Sequence, residues 1–163
     1  MTFDMELREQ ATTAIPRPDD LSILMVRQSV SAVAGHEVAL AASFYHHLFT
    51  MAPGVRSLFP ADMSFQTERL TRALVAAVQA MHAPETLQPL LRQLGGDHAA
   101  RYGVTDDMYL YVGQALVRAV REVLSNGWTT VTSSAWVSVY QWVAAEMIEG
   151  ARLARVNRSA AGL

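Results

Sequence analysis

The chain has 163 residues, 51% apolar and 17% charged, with a formal net charge of −2 and no cysteine. That length suits one domain around a single core, and that composition is globular rather than disordered. A slightly acidic chain lacks the basic face that nucleic-acid binding needs, and the absence of thiols excludes disulfides, thiolate zinc sites, iron–sulfur clusters and a thiol nucleophile.

Residues 1–18 read as an N-terminal extension of mixed polarity, closed by Pro16 and Pro18, with a short amphipathic piece around Phe3 to Ala11. Asp4, Glu6 and Glu9 interrupt any apolar start, so this stretch does not read as a signal peptide. No run of about 18 apolar residues occurs anywhere, which predicts a cytoplasmic chain without a membrane span.

Asp19 and Asp20 can cap a first helix near 20–34, whose stripe is Leu21, Leu24, Met25, Val30 and Val33, with Gly35 ending it. A second helix, about 36–50, carries Val38, Ala41, Ala42, Tyr45, Leu48 and Phe49. Pro53 opens a short third helix ending at Leu58-Phe59-Pro60. Ser64 is the expected cap of a fourth, about 65–82, with Leu70, Leu74, Val75, Val78 and Met81 on one side. A fifth, about 85–99, lines up Leu87, Leu90, Leu91, Leu94 and His98 before Gly103 breaks it. Thr105 is the expected cap of a sixth that runs to about 125, with Asp106 and Asp107 in its first turn, where the helix dipole favours them. The last, about 129–154, carries Trp136, Val139, Tyr140, Val143 and Met147, and residues 156–163 read as a frayed tail. No period-2 run appears, so the fold class is all-α. Pattern alone leaves the packing arrangement of the helices open, because crossing angles are not written in periodicity.

Of the five histidines, the neighbours His46 and His47 cannot both point inward from one helix. No H-E-x-x-H, P-loop, G-x-G-x-x-G or G-x-S-x-G motif occurs. His98 differs from the other histidines. It ends an apolar stripe and follows Gly95 and Gly96, each costing about 1 kcal/mol in a helix relative to alanine. Close approach of another body, such as a planar cofactor, would account for two such glycines. Alone, a histidine in this position is more often structural than a ligand.

Leu94-Gly95-x-x-His98, then Tyr102-Gly103-Val104 and Tyr109-x-x-Val112-Gly113-x-x-Leu116, resembles the proximal half of bacterial globins. Phe44-Tyr45-x-x-Leu48-Phe49, Pro53-x-Val55-x-x-Leu58-Phe59 and Ala135-Trp136-x-x-x-Tyr140 resemble other parts of the same family, in the same order. The resemblance is to single-domain bacterial haemoglobins and to the globin domain of flavohaemoglobins, and it covers about residues 20–155.

It implies a globin fold, a helical sandwich enclosing haem b, with the globin domain at 19–155 and a C-terminal tail at 156–163. His98 would be the axial ligand to the haem iron. Phe59, Leu70, Leu94, Val104 and Tyr109 would contact the haem or line its pocket. Tyr45 and Gln66 would be the catalytic pair on the distal side, donating hydrogen bonds to dioxygen or another diatomic gas. Such a pair implies tight holding of oxygen and slow release, which suits oxidation of nitric oxide to nitrate better than transport.

Three departures qualify this. The family's glutamate on the last helix, which bonds the axial histidine, falls at Ala151, or at Gly150 with a one-residue shift, and Glu149 points elsewhere. The loop after His98 is one residue longer than the family's usual one. The chain stops where flavohaemoglobins continue into a flavin and nicotinamide reductase, so the electrons are expected from an external reductase. The competing readings are a gas store or sensor without turnover, and a haem-free all-α interaction module. The oligomeric state is not written in the sequence.

Overall fold

The computed structural model describes residues 15–162, and these form six α-helices: α1 (Asp20–Ala32), α2 (Glu37–Met51), α3 (Ser64–Ala80), α4 (Pro84–Tyr102), α5 (Met108–Leu124) and α6 (Thr130–Ala160). Two 3₁₀ turns, Pro53–Leu58 and Ser125–Gly127, link α2 to α3 and α5 to α6. No strand occurs among the described residues. The expected amphipathic piece at Phe3–Ala11 lies outside them.

The expected first cap is present: the Asp19 carboxylate accepts the Ser22 N–H at 2.7 Å. Other boundaries moved. The third helix is a 3₁₀ turn, as a six-residue segment opened by proline tends to be. Ser64 is the first residue of α3 rather than its cap, and Asp62 takes its N–H at 3.0 Å. Thr105 does not cap α5 directly. Its hydroxyl donates to Asp107, and Asp106 and Asp107 form the turn before Met108 instead of the first helical turn. Helix α4 runs to Tyr102, where Gly103 adopts φ +67° and its N–H returns to the Ala99 carbonyl. His98 therefore sits one turn inside the helix. The tail expected to fray is helical through Ala160, since a helix already nucleated extends at one hydrogen bond per residue.

Helix α4 packs on α6, α2 on α5, and α1 on α6, while α3 meets α4 only sparsely. Val26, Leu40, Leu48, Val120, Trp136 and Trp142 are the largest fully buried side chains, and burial of each stabilises the fold by about 1.5–3 kcal/mol. Where α4 and α6 cross, the backbones touch. A Cβ on Gly95 would stand 1.9 Å from the Met147 carbonyl oxygen, and one on Gly150 would stand 1.8 Å from that of Arg92. Beside this crossing the buried Glu146 carboxylate accepts from Arg92 Nε at 2.7 Å and from Gln88 Nε2 at 2.9 Å. Among the described residues no helix is long and apolar enough to cross a membrane.

Candidate functional site

Two groups of side chains stand out, one around Tyr45 and one around His98. Tyr45 is on α2, whose inward face also carries Leu40, Ala41, Phe44 and Leu48. Its ring packs edge-on against Phe44 at 5.0 Å and Phe59 at 5.5 Å between centroids, and stacks on Phe49 at 5.7 Å. The buried hydroxyl donates to the backbone carbonyl of Gln66, in the first turn of α3, at 3.2 Å. Burial pushes the Tyr45 phenol up to about 12, against the opposing pull of the Arg69 charge. At neutral pH it is therefore a protonated donor. Sequence-predicted Tyr45, Phe59 and Gln66 are thus brought together. Leu70, one turn after Gln66 on α3, is half-buried against the core.

His98 is half-buried on α4. Its Nδ1 lies 2.8 Å from the Leu94 carbonyl oxygen one turn back, so in the tautomer this bond selects Nδ1 donates and Nε2 carries the lone pair. Among the described residues Nε2 has no hydrogen-bond partner. No carboxylate bonds the ring either: Glu146 is held by Arg92 and Gln88, Glu149 by Arg152 at 2.6 Å, and Ala151 is buried without a polar group. The acceptor behind His98 is a neutral backbone carbonyl.

The close body expected at Gly95 and Gly96 is corrected by the crossing with α6. Gly95 abuts the Met147 backbone, and a Cβ on Gly96 would lie 3.5 Å from Ala154 Cβ, an ordinary contact. The glycines admit a helix, not a planar group. Val104 is half-buried beyond Gly103, and Leu94 is 43% exposed. Tyr109 is buried at the start of α5, and its carbonyl accepts the Tyr140 hydroxyl. Burial, with Asp106 adding repulsion, raises its own phenol to about 12. Tyr140 is raised as well, by burial first. Tyr140 also lies against Gly113, where a Cβ would fall 2.3 Å from its ring.

The remaining histidines form no such centre. His36, His46 and His82 are exposed, while His47 is paired on α2 with Glu122 of α5 at 2.7 Å. Among the described residues no three His, Asp or Glu side chains converge to hold a bare metal ion. Any iron at His98 would need a cofactor to supply its other ligands. The residues fit such a group. One imidazole nitrogen is available on α4, α3 is not closed against it, and Leu70, Leu74, Val104, Met108 and Val112 are apolar yet only half-buried.

Two features were not anticipated. Glu146 is not among the sequence-predicted site residues, although a carboxylate on a buried helix face signals a partner across it. Arg69 read as nothing at all, because a lone arginine on a helix normally faces water.

A family model described as Globin matches residues 42–147. A flavohemoprotein of Rhizobium meliloti is 29% identical over 119 residues, which cover 71% of this chain and 29% of that protein. The chain spans about 30% of the length of the first curated relatives it matches. Among solved structures, an engineered carbene transferase described as a candidate nitric oxide dioxygenase from Rhodothermus marinus superposes with a TM-score of 0.76. It is 30% identical, and the match covers 87% of this chain and 99% of that one. A flavohemoglobin from Malassezia yamatoensis with bound FAD and heme shares the fold, with a TM-score of 0.69 at 18% identity over 84% of this chain and 37% of that chain.

Proposed function

The chain belongs to the globin family, and we propose that it holds haem b between α3 and α4, binds dioxygen and other diatomic gases, and oxidises nitric oxide to nitrate with electrons from an external reductase. The observation that carries this reading is His98, with Nδ1 fixed by the Leu94 carbonyl and Nε2 left without a protein partner. A haem bound there supplies the iron that takes up the gas. The chain supplies everything around it. His98 would hold the iron through one ring nitrogen, while its backbone acceptor fixes the ring's tautomer and orientation. Leu70, Leu94, Val104 and Phe59 offer apolar surface that the protein leaves partly uncovered, for a planar apolar body to bury, and Tyr109 is buried at the start of α5.

On the distal side Tyr45 keeps its proton at Oη well above neutral pH. A hydroxyl donor buried among Phe44, Phe49 and Phe59 meets little water, so a hydrogen bond from it to a partly negative oxygen is stronger than in bulk solvent. To reach the gas, the hydroxyl exchanges its present acceptor, the Gln66 carbonyl, for the ligand. The Gln66 side-chain amide offers a second donor from the same turn.

A store or sensor without turnover is the second reading, favoured by the neutral acceptor behind His98, which gives the ring less imidazolate character than a carboxylate would. Two measurements separate the readings. The purified protein should show a Soret band that H98A loses or shifts; a colourless protein after haem addition would end the haem reading. Stopped-flow mixing of the oxygenated protein with nitric oxide should give ferric protein and nitrate within the mixing time range; oxygenated protein that persists would leave the store or sensor.

A further inference from the structure

Tyr102 has no place in the reading above, yet it stands one turn after His98 on α4. Leu90, Leu94, His98 and Tyr102 recur at i+4, which sets them in one row on the helix. The row is open: Leu90, Leu94 and Tyr102 are exposed, and His98 is half-buried. Helical side chains lean toward the helix N-terminus, so the Tyr102 ring lies back over the turn that carries His98. The two rings meet edge-on, with centroids 5.8 Å apart and planes at 75°.

The backbone fixes this contact. Helix α4 runs to Tyr102 instead of ending near residue 99, and Gly103 then closes it. The Gly103 N–H returns to the Ala99 carbonyl, and the Val104 N–H to the carbonyl of His98 itself at 3.3 Å. The last turn of α4, with a ring at each end, is therefore one closed unit. On the other side of the imidazole, the Leu94 carbonyl holds Nδ1 at 2.8 Å. His98 is thus bracketed by a hydrogen bond from one turn behind and an aromatic ring from one turn ahead.

We propose that Tyr102 is a positioning residue for the axial histidine. A hydrogen bond at Nδ1 alone leaves the imidazole free to rock about that bond. The Tyr102 ring removes that freedom and keeps Nε2 aimed in one direction. This orients the ligand by packing and adds no negative charge to it, so the imidazole is held in place without becoming more basic. The inference rests on the haem reading, and its test keeps the two apart.

The experiment compares wild type, Y102A, Y102F and Y102L as ferrous holoproteins. Resonance Raman reads the iron–histidine stretching band. The Soret band under nitric oxide reads the share of haem that has given up the histidine. In Y102A the ratio of histidine-free to histidine-bound haem should rise about two- to tenfold, and the stretching band should broaden. Y102F keeps the ring and should match wild type. Tyr102 is exposed at the end of α4, so these variants fold. Should Y102A retain no haem, Y102L is read in its place and should shift in the same direction. An unchanged band and ratio in the variants without the ring would overturn the proposal while the wild-type Soret band upholds the haem reading. So would a Y102F that behaves like Y102A, since the hydroxyl and not the ring would then hold His98. A wild-type protein without a Soret band would overturn both.

Discussion

Replacing Gly95 with alanine should separate α4 from α6, while the same change at Gly96 should not. A Cβ at residue 95 stands 1.9 Å from the Met147 carbonyl oxygen and 2.5 Å from its carbon. Both are backbone atoms in mid-helix and cannot swing aside. Reaching the ordinary contact distance of 3.4 Å requires the helices to part by about 1.5 Å over a whole turn. Overpacking of this kind costs about 2–4 kcal/mol, of which alanine's better helix propensity returns at most about 1. For a chain of this size each kcal/mol moves Tm by about 2–4 °C, so a net cost of about 1–4 kcal/mol should make G95A melt roughly 2–16 °C below wild type. At Gly96 the added methyl meets Ala154 Cβ and the Gly150 carbonyl oxygen at 3.5 Å, which is normal contact. G96A should therefore melt at or slightly above wild type. Scanning calorimetry of the holoprotein decides it. Equal Tm values for the two variants would refute the claim that the helix backbones touch at residue 95.

Three further outcomes follow from the same structure. Y45F should speed oxygen release by about tenfold or more, since it removes a buried donor worth more than 1.4 kcal/mol; an unchanged off-rate in flash photolysis would misplace Tyr45. E146A strands two donors, but Arg92 is 40% exposed and can turn to water, so the loss in urea titrations should be about 2 kcal/mol rather than the full 3–5 of a deeply buried pair. Hydrogen bonds from Ser43 and His47 hold the Glu122 carboxyl below its ordinary 4.5. A carboxylate with a depressed folded value adds stability above its unfolded value and loses it as pH falls through the folded one. Below pH 4.5, then, the Tm of wild type should fall more steeply than that of E122Q; parallel slopes would show that the α2–α5 link has no such role.

The helices were legible because their apolar stripes repeat with the helical period over three turns or more, and Gly103 marks a true left-handed stop. The caps were less so. Asp62 and Ser64, or Thr105 and Asp107, are two residues apart and can exchange roles without altering any periodicity. Gly95 and Gly96 announced a close neighbour but not which one, since a missing Cβ is silent about what fills the space. The carboxylate on the last helix was sought next to His98, and the crossing explains its absence there. With Gly150 pressed on the Arg92 carbonyl and Ala151 sealed beside it, α6 has no room for a long side chain at that height. The acid lies one turn earlier, at Glu146, and serves Arg92 instead. Tyr45, Phe59 and Gln66 come from three separate segments, and only the resemblance joined them. That they meet is a property of the fold, whereas their spacing in the chain merely permits it.

Because α4 and α6 are interlocked at Gly95 and Gly150, they behave as one jointed beam. Helix α6 continues from Gly150 to Ala160, a cantilever of about 15 Å at 1.5 Å per residue. A tilt of about 2° at the joint sweeps its free end through about 0.5 Å. Any shift of the helix that carries His98 is therefore transmitted, magnified, to the end of the chain's longest helix. A fluorophore fixed near Ala160 would report movement of α4 from outside the core.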